Sequence, residues 1–320
     1  ILNGNKLAKV NASVKSEQLC LSEDEAVLTV EQYYWQWVSL KEKLKTLDVV
    51  GRQIDTIRRD VSTAVDAGVA MQNDLLQVEL ERNRISANRL KVNNGLTVVK
   101  MLLAQAIELP ADSFDIAVSV PEDLPDPNIY KVDHQAALQI TPTYRMLQKS
   151  VEASKLQRNM ELGKRLPTIG IGAGYMYYDL PDQHSISVIE NRRSMGMVFA
   201  SIAIPLSDWW GGTHAIRQKN VQLKIAEESK RSNSELLLVQ MQQLWNELVE
   251  AYDQAKISKE SVAKATENAR ISTNCYHAGT VAVSDLLNAQ SLLQQSRDQY
   301  TDDLTTYFIK RTRYLQATGR

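Results

Sequence analysis

Apolar positions recur at helical spacing through two long stretches of the chain, residues 12–66 and 69–109. Val27, Val30, Tyr34, Val38, Leu44 and Leu47 mark the first; Leu76, Leu80, Ile85, Leu90, Val98 and Leu102 mark the second. The polar positions between them are rich in Gln, Asn, Lys and Glu, as on a solvated helix face. All eight prolines lie between Pro110 and Pro205, so residues 1–109 and 206–320 lack the strongest helix breaker, and each holds only four glycines. The pattern predicts very long helices, among them one from Thr213 to His277 that would reach about 98 Å at 1.5 Å per residue. By periodicity alone it fits a coiled coil or a spectrin-like bundle equally well.

The period changes in the middle of the chain. A polar, proline-punctuated stretch, 111–140, reads as a small irregular segment. Thr141-Pro142 then supplies a cap residue and a first-turn proline for a helix that Leu166-Pro167 stops. From Thr168 to Tyr178 the period is two: Ile169, Ile171, Ala173, Tyr175 and Tyr177 form one face, and the glycines Gly170, Gly172 and Gly174 dominate the other. A charged loop, Asp179 to Arg193, leads to a second run, Met195 to Leu206, with Val198, Ala200, Ile202 and Ile204 on one face. Each run has the roughly 9–11 residues that cross a bilayer as a tilted strand. Tyr175, Tyr177, Trp209 and Trp210 would then lie in a membrane girdle. An ordinary hairpin with one buried face is the other reading of the same alternation.

The helical stretches are copies of each other. Ala67-Gly68-Val69-Ala70-Met71-Gln72-Asn73-Asp74-Leu75-Leu76 aligns without a gap on Ala278-Gly279-Thr280-Val281-Ala282-Val283-Ser284-Asp285-Leu286-Leu287, with five identities at an offset of 211 residues. The offset also pairs Val38 with Val249, Lys45 with Lys256, and Ala106-Ile107-Glu108 with Ala317-Thr318-Gly319. A helix–turn–helix unit thus occurs twice. In each copy the Ala-Gly pair is expected to reverse the chain, because glycine readily adopts the left-handed conformation that ends a helix. Asp74 and Asp285 follow six residues later, where an acid also suits a helix N-terminus. The return limb, about 61 Å, and the helix after Thr141, about 38 Å, together match one long helix. That agreement puts the strands at one end of a rod, the two turns at the other, and residues 111–140 partway along. It also separates Cys20 from Cys275 by about 66 Å, far beyond the span of about 7 Å that a disulfide allows.

Composition narrows the function. The chain has 320 residues, 43% of them apolar, and 37 basic against 38 acidic side chains, so no field points to nucleic acid as a partner. No run approaches the eighteen apolar residues of a membrane-spanning helix, and Ile1-Leu2-Asn3-Gly4 has no signal-peptide character. The histidines His134, His184, His214 and His277 lack metal-ligand spacing, and no nucleophile–base pair or phosphate-binding glycine loop stands out. Neither catalysis nor a cofactor is expected.

Several motifs together identify a relative. They are Tyr276-His277-Ala278-Gly279 followed by Asp285-Leu286-Leu287-Asn288-Ala289-Gln290, Leu166-Pro167-Thr168 opening a strand, Ile204-Pro205-Leu206 with Gly211-Gly212 after the second, and the ending Leu315-Gln316-Ala317-Thr318-Gly319. In order and spacing they resemble the outer-membrane efflux protein family typified by TolC, over essentially the whole chain. The resemblance implies a mainly α protein whose long antiparallel helices form a periplasmic α-barrel. Its β-hairpin would contribute to a trimeric outer-membrane β-barrel in a Gram-negative bacterium. It implies a homotrimer in outer-membrane lipid, a periplasmic adaptor (membrane fusion) protein, and an inner-membrane RND, ABC or MFS transporter, in a tripartite efflux or type I secretion system.

The same resemblance assigns sites. Ala67, Gly68, Val69, Tyr276, Ala278, Gly279 and Thr280 would form the helix-turn tips that meet the adaptor. Asp285 matches a carboxylate position of the entrance, where the second family acid is replaced by Asn288; Asp74 with Tyr276 would help hold the entrance shut. Family protomers carry two β-hairpins and this chain one, so Ile1–Asn5 is expected to be the end of a first hairpin. The expected organisation is 1–110 as first repeat, 111–140 as equatorial segment, 141–166 as a helix toward the membrane, 167–207 as β-hairpin and 208–320 as second repeat. A periplasmic or soluble helical scaffold or adaptor is the alternative, although an adaptor should carry one helical hairpin between small β-domains.

Overall fold

The 211-residue offset carries through to the helices. The computed structural model describes residues 2–117, 121, 123–179, 192–204 and 213–320. In it α1 spans Leu2–Asp66 and α2 Gln72–Ala106; later in the chain stand α5, Thr213–His277, and α6, Val283–Ala317. Helices of 65 and 35 residues therefore occur twice, with boundaries in register. Leu2–Asn5, expected as the tail of a strand, instead forms the first turn of α1, equivalent by offset to the first turn of α5. Nothing there breaks the hydrogen-bond ladder, and Val10 anchors this end in the interior.

All four of these long helices end in the same way. The first residue past each C-cap has positive φ: Gly68 at 71°, Gly279 at 71°, Gly319 at 75° and Glu108 at 55°. In each case two reversed hydrogen bonds satisfy carbonyls of the last turn, as with Val69 N–H to Ala64 O at 2.8 Å and Thr280 N–H to Cys275 O at 2.9 Å. Glu108 is the non-glycine member, and a Cβ in this conformation costs about 1–2 kcal/mol. Glu108→Gly is expected to stabilise the chain by about 0.5–1 kcal/mol, after allowing for the looser unfolded state. Urea unfolding followed by helical circular dichroism should show the higher midpoint; an unchanged or lower one would mean Glu108 makes compensating contacts.

The segment between the copies is more ordered than its composition suggests. Asp126 accepts from Asn128 N–H to cap a 3-10 helix, Pro127–Tyr130, and Asp133 accepts from Gln135 N–H to cap α3, His134–Ile140. The next helix, α4, spans Pro142–Gly163. Strands β1, Thr168–Asp179, and β2, Arg192–Ala203, pair antiparallel from Thr168↔Ala203 to Asp179↔Arg192. β2 starts three residues earlier than expected, because Arg192 and Arg193 extend the ladder rather than the loop.

The chain divides into two compact units, 1–16 with 146–233, and 17–145 with 234–320. The first carries the β-hairpin. On one of its faces Ile169, Ile171 and Ala173 sit opposite Ile202, Ala200 and Val198, followed by Tyr175 and Tyr177. These side chains are open to their surroundings, with Ile171 and Val198 each 81% exposed. On the other face Gly172 lies opposite Phe199, and a Cβ at Gly172 would come within 2.4 Å of that ring. Trp209, Trp210, Pro205-Leu206, Gly211-Gly212 and the interior of the charged loop lie outside the described residues.

In the second unit, α1 and α6 meet around a stack of Trp35 on Phe308, ring centroids 4.1 Å apart. Val38, Leu248, Leu304, Tyr307 and Tyr314 complete this core. The equatorial segment is tied to it: Tyr307 Oη donates to Pro125 O at 2.5 Å, and Tyr314 Oη meets His134 Nε2 at 3.2 Å. A second cluster pairs Trp37 with Leu96, Val99 and Leu103 across α1 and α2. α2 therefore buries Val78, Ile85, Leu96, Val99 and Leu103. Of the apolar positions expected to mark this helix, Leu76, Leu80, Leu90 and Val98 are 49–69% exposed. They belong to a second seam with the same period, which the chain leaves uncovered. Cys20 and Cys275 are free thiols. Among the described residues no helix is long and apolar enough to cross a membrane.

Candidate functional site: the paired helix turns

The two Ala-Gly turns present short, exposed loops. Ala67, Gly68 and Val69 are exposed, as are Ala278, Gly279 and Thr280, and Val69 and Met71 reach 80% and 75%. No atom stands within 4 Å of where a Cβ would sit on either glycine, so conformation and not crowding calls for glycine there. Thr280 also donates its hydroxyl to Cys275 O at 3.0 Å, bracing the second turn.

Behind the turns the two hairpins share one core. Ile57 and Val61 of α1, Val78 of α2, and Val283, Leu286 and Leu287 of α6 are buried together, with Tyr276 of α5 packed against them. Tyr276 also feels the charges of two acids of the first hairpin, Asp60 and Asp74. Burial raises its phenol pKa, and the negative charges of Asp60 and Asp74 raise it further. Asp74, in the first turn of α2, also accepts a hydrogen bond from Met71 N–H at 3.1 Å, capping the helix. Asp74 thus acts on Tyr276 through its charge while its carboxylate caps α2. Asp285, the equivalent residue of α6, is exposed, and so is Asn288 one turn on.

Other participants went unnoticed in the sequence. Asp60 is one. Arg84 of α2 is another: it donates to Glu81 at 2.6 Å and to Ser291 Oγ of α6 at 3.0 Å, bridging the hairpins. The first hairpin also carries a ladder of ion pairs, Arg58–Glu79 at 3.1 Å, Arg82–Asp55 at 2.7 Å and Arg89–Asp48 at 3.1 Å. Each pair is equidistant from the Gly68 turn, a signal that opposite charges at mirrored positions could have revealed. The offset places Lys259/Tyr300, Thr266/Leu293 and Ala269/Gln290 at the corresponding positions of the second hairpin, where Ala269, Gln290 and Leu293 are buried. No group of His, Cys, Asp or Glu that could hold a metal ion occurs among the described residues.

The architecture has close counterparts among solved structures. The outer-membrane channel OprN superposes with a TM-score of 0.82 at 14% identity, covering 98% of this chain and 70% of that one. VceC from Vibrio cholerae gives 0.80 at 13% identity, covering 98% and 74%. The CmeC outer membrane channel of Campylobacter jejuni gives 0.83 at 10% identity, covering 99% and 67%. At these identities the likeness establishes the fold, that of outer-membrane efflux channels. No curated protein matches the chain by sequence. Residues 134–320 match the sequence model of the outer membrane efflux protein family. With more than half its length matched, and with the duplicated hairpins and β-hairpin that the fold requires, the chain belongs to the outer membrane efflux protein family.

Proposed function

We propose that this chain is a protomer of a passive homotrimeric conduit, through which an inner-membrane RND, ABC or MFS transporter and a periplasmic adaptor export their substrate across periplasm and outer membrane. The observation that carries this reading is the exposed face of the hairpin. Ile169, Ile171, Val198 and Ile202 are 69–81% exposed on strands of twelve residues, a surface suited to lipid when neighbouring hairpins complete the sheet. The uncovered seam of α2 supports association of copies. Leu76, Leu80, Leu90, Val98 and Met101 follow a heptad-like spacing and would pack against a helix of another protomer. Two helical hairpins flank one β-hairpin, the reverse of an adaptor's organisation.

In this reading the turns face the adaptor, and Asp285 supplies one ring of three carboxylates at the entrance, a cation-attracting field moderated by Asn288. Asp74 with Tyr276 holds the entrance closed. Fractionation of the complete gene product tests the channel itself: recovery wholly in the cytosol would exclude it. Asp74→Ala tests the latch. Loss of a cap-type contact worth about 1 kcal/mol would shift a closed–open equilibrium about fivefold, so leak conductance in planar bilayers should rise several-fold. Conductance equal to the parent's would remove Asp74 from gating.

A further inference from the structure

The glycine-rich face of the β-hairpin holds chemistry that a passive wall does not need. Met176 of β1 pairs directly with Met195 of β2, and Met197 follows two residues along β2 on the same face. Three of the chain's eight methionines meet there. Directly opposed residues have Cβ atoms about 5 Å apart and diagonal neighbours about 7–8 Å. Each sulfur sits two bonds beyond Cβ on an unbranched, flexible side chain, so all three can turn toward one point. The bare backbone of Gly174, opposite Met197, helps: a Cβ there would stand 3.7 Å from Met197 Cγ, within ordinary contact, and its absence leaves the methionine room to lie across the ladder.

The three side chains are also accessible, at 54%, 47% and 40% exposure. The opposite face of the hairpin carries Ile, Val, Ala and Tyr together with Gly196, Ser194, Asp179 and Arg192, and contains no methionine among its paired residues. Apolar character alone would be served by those residue types here too. What methionine adds is a polarizable thioether, a soft neutral donor that favours soft ions and offers nothing to Mg²⁺ or Ca²⁺.

We propose that Met176, Met195 and Met197 form a thioether site for a soft monovalent cation, Cu(I) or Ag(I), on the hairpin face away from the aliphatic surface. Binding needs only the two-strand ladder; that ions reach it from a lumen rests on the channel reading. Binding involves no redox step and releases no proton, because thioethers are unprotonated at any working pH. The site should therefore stay filled in acid, where imidazole ligands are lost.

The test uses the full chain in detergent, with Cys20→Ser and Cys275→Ser to remove competing thiols, in chloride-free buffer at about pH 5, where imidazole in general competes less well for soft ions. Titration with silver nitrate by calorimetry should give one Ag(I) per chain, and X-ray absorption a sulfur shell around silver. Met176→Leu with Met195→Leu should abolish uptake, whereas Met160→Leu, on α4, should leave it intact. Undiminished uptake in the double leucine variant would overturn the proposal, as would no uptake by the parent with native circular dichroism. Bilayer conductance on the same preparation separates the two readings. A conducting protein that ignores silver refutes this site alone; a silver-binding protein that never conducts refutes the conduit alone.

Discussion

Trp35→Ala is expected to destabilise the helical unit by about 3–5 kcal/mol. Trp35 is only 6% exposed, and its ring lies flat on Phe308, 4° from parallel, with Tyr34 edge-on at 5.1 Å. The stack joins α1 to α6, which belong to different copies of the duplicated hairpin, so it holds the copies together and not merely one helix in place. Aromatic pairing adds about 0.5–1.5 kcal/mol beyond the area buried. Trp35→Phe, which keeps a ring over Phe308, should therefore retain more than half of the stability lost in the alanine variant. Urea unfolding of both variants by circular dichroism checks this, and a loss below about 1 kcal/mol in Trp35→Ala would show that the bundle closes over the gap.

Much of this architecture was legible because the sequence repeats. The offset of 211 residues pairs the boundaries of the four long helices and the Ala-Gly pairs mark both reversals, although the first turn of α1, Leu2–Asn5, read as the end of a strand. Other features were hidden for identifiable reasons. α2 has two apolar seams of one period, and nothing local separates Val78, buried, from Leu80, exposed; neighbouring helices decide. Helix α3 is seven residues long, too short for a periodic signal, and so read as part of the irregular segment. Arg192 and Arg193 looked like loop because charge obscures alternation. Glu108 gave no sign of a left-handed conformation except through its equivalence to Gly319.

At the site, only the family resemblance links Asp74 with Tyr276, since they are some two hundred residues apart in sequence. The structure adds that the two copies are held differently. Ion pairs between α1 and α2 are about half exposed and worth at most about 1 kcal/mol each, and salt screens them. The matching levels of α5 and α6 use buried Ala269, Leu293 and Gln290, contacts indifferent to salt. Duplication has conserved backbone boundaries while the side chains that close each hairpin have diverged in kind.

Divergence of that sort also places charge between the copies, and Lys43→Met should expose it, costing about 2 kcal/mol near pH 7 and much less in acid. Lys43 Nζ of α1 lies 2.7 Å from the Asp302 carboxylate of α6, which also accepts from Ser39 Oγ at 3.0 Å. Asp298, one turn earlier, is half-buried. Burial raises its carboxyl pKa above the ordinary 3.8, Lys43 and the Gln294 hydrogen bond oppose that rise, and Asp302 adds to it. Without Lys43 the two acids face each other with no cation between them, and the pKa of Asp298 rises further. A raised folded-state pKa means the folded chain holds its proton more tightly than the unfolded one, so stability falls as pH climbs through that range. The penalty should be complete above the raised value of Asp298 and fade as the pH falls below it. Adding Asp298→Asn to Lys43→Met should restore part of the loss at pH 7 in a double-mutant cycle. A penalty of equal size at both pH values would assign the effect to packing of the lysine stem and not to its charge.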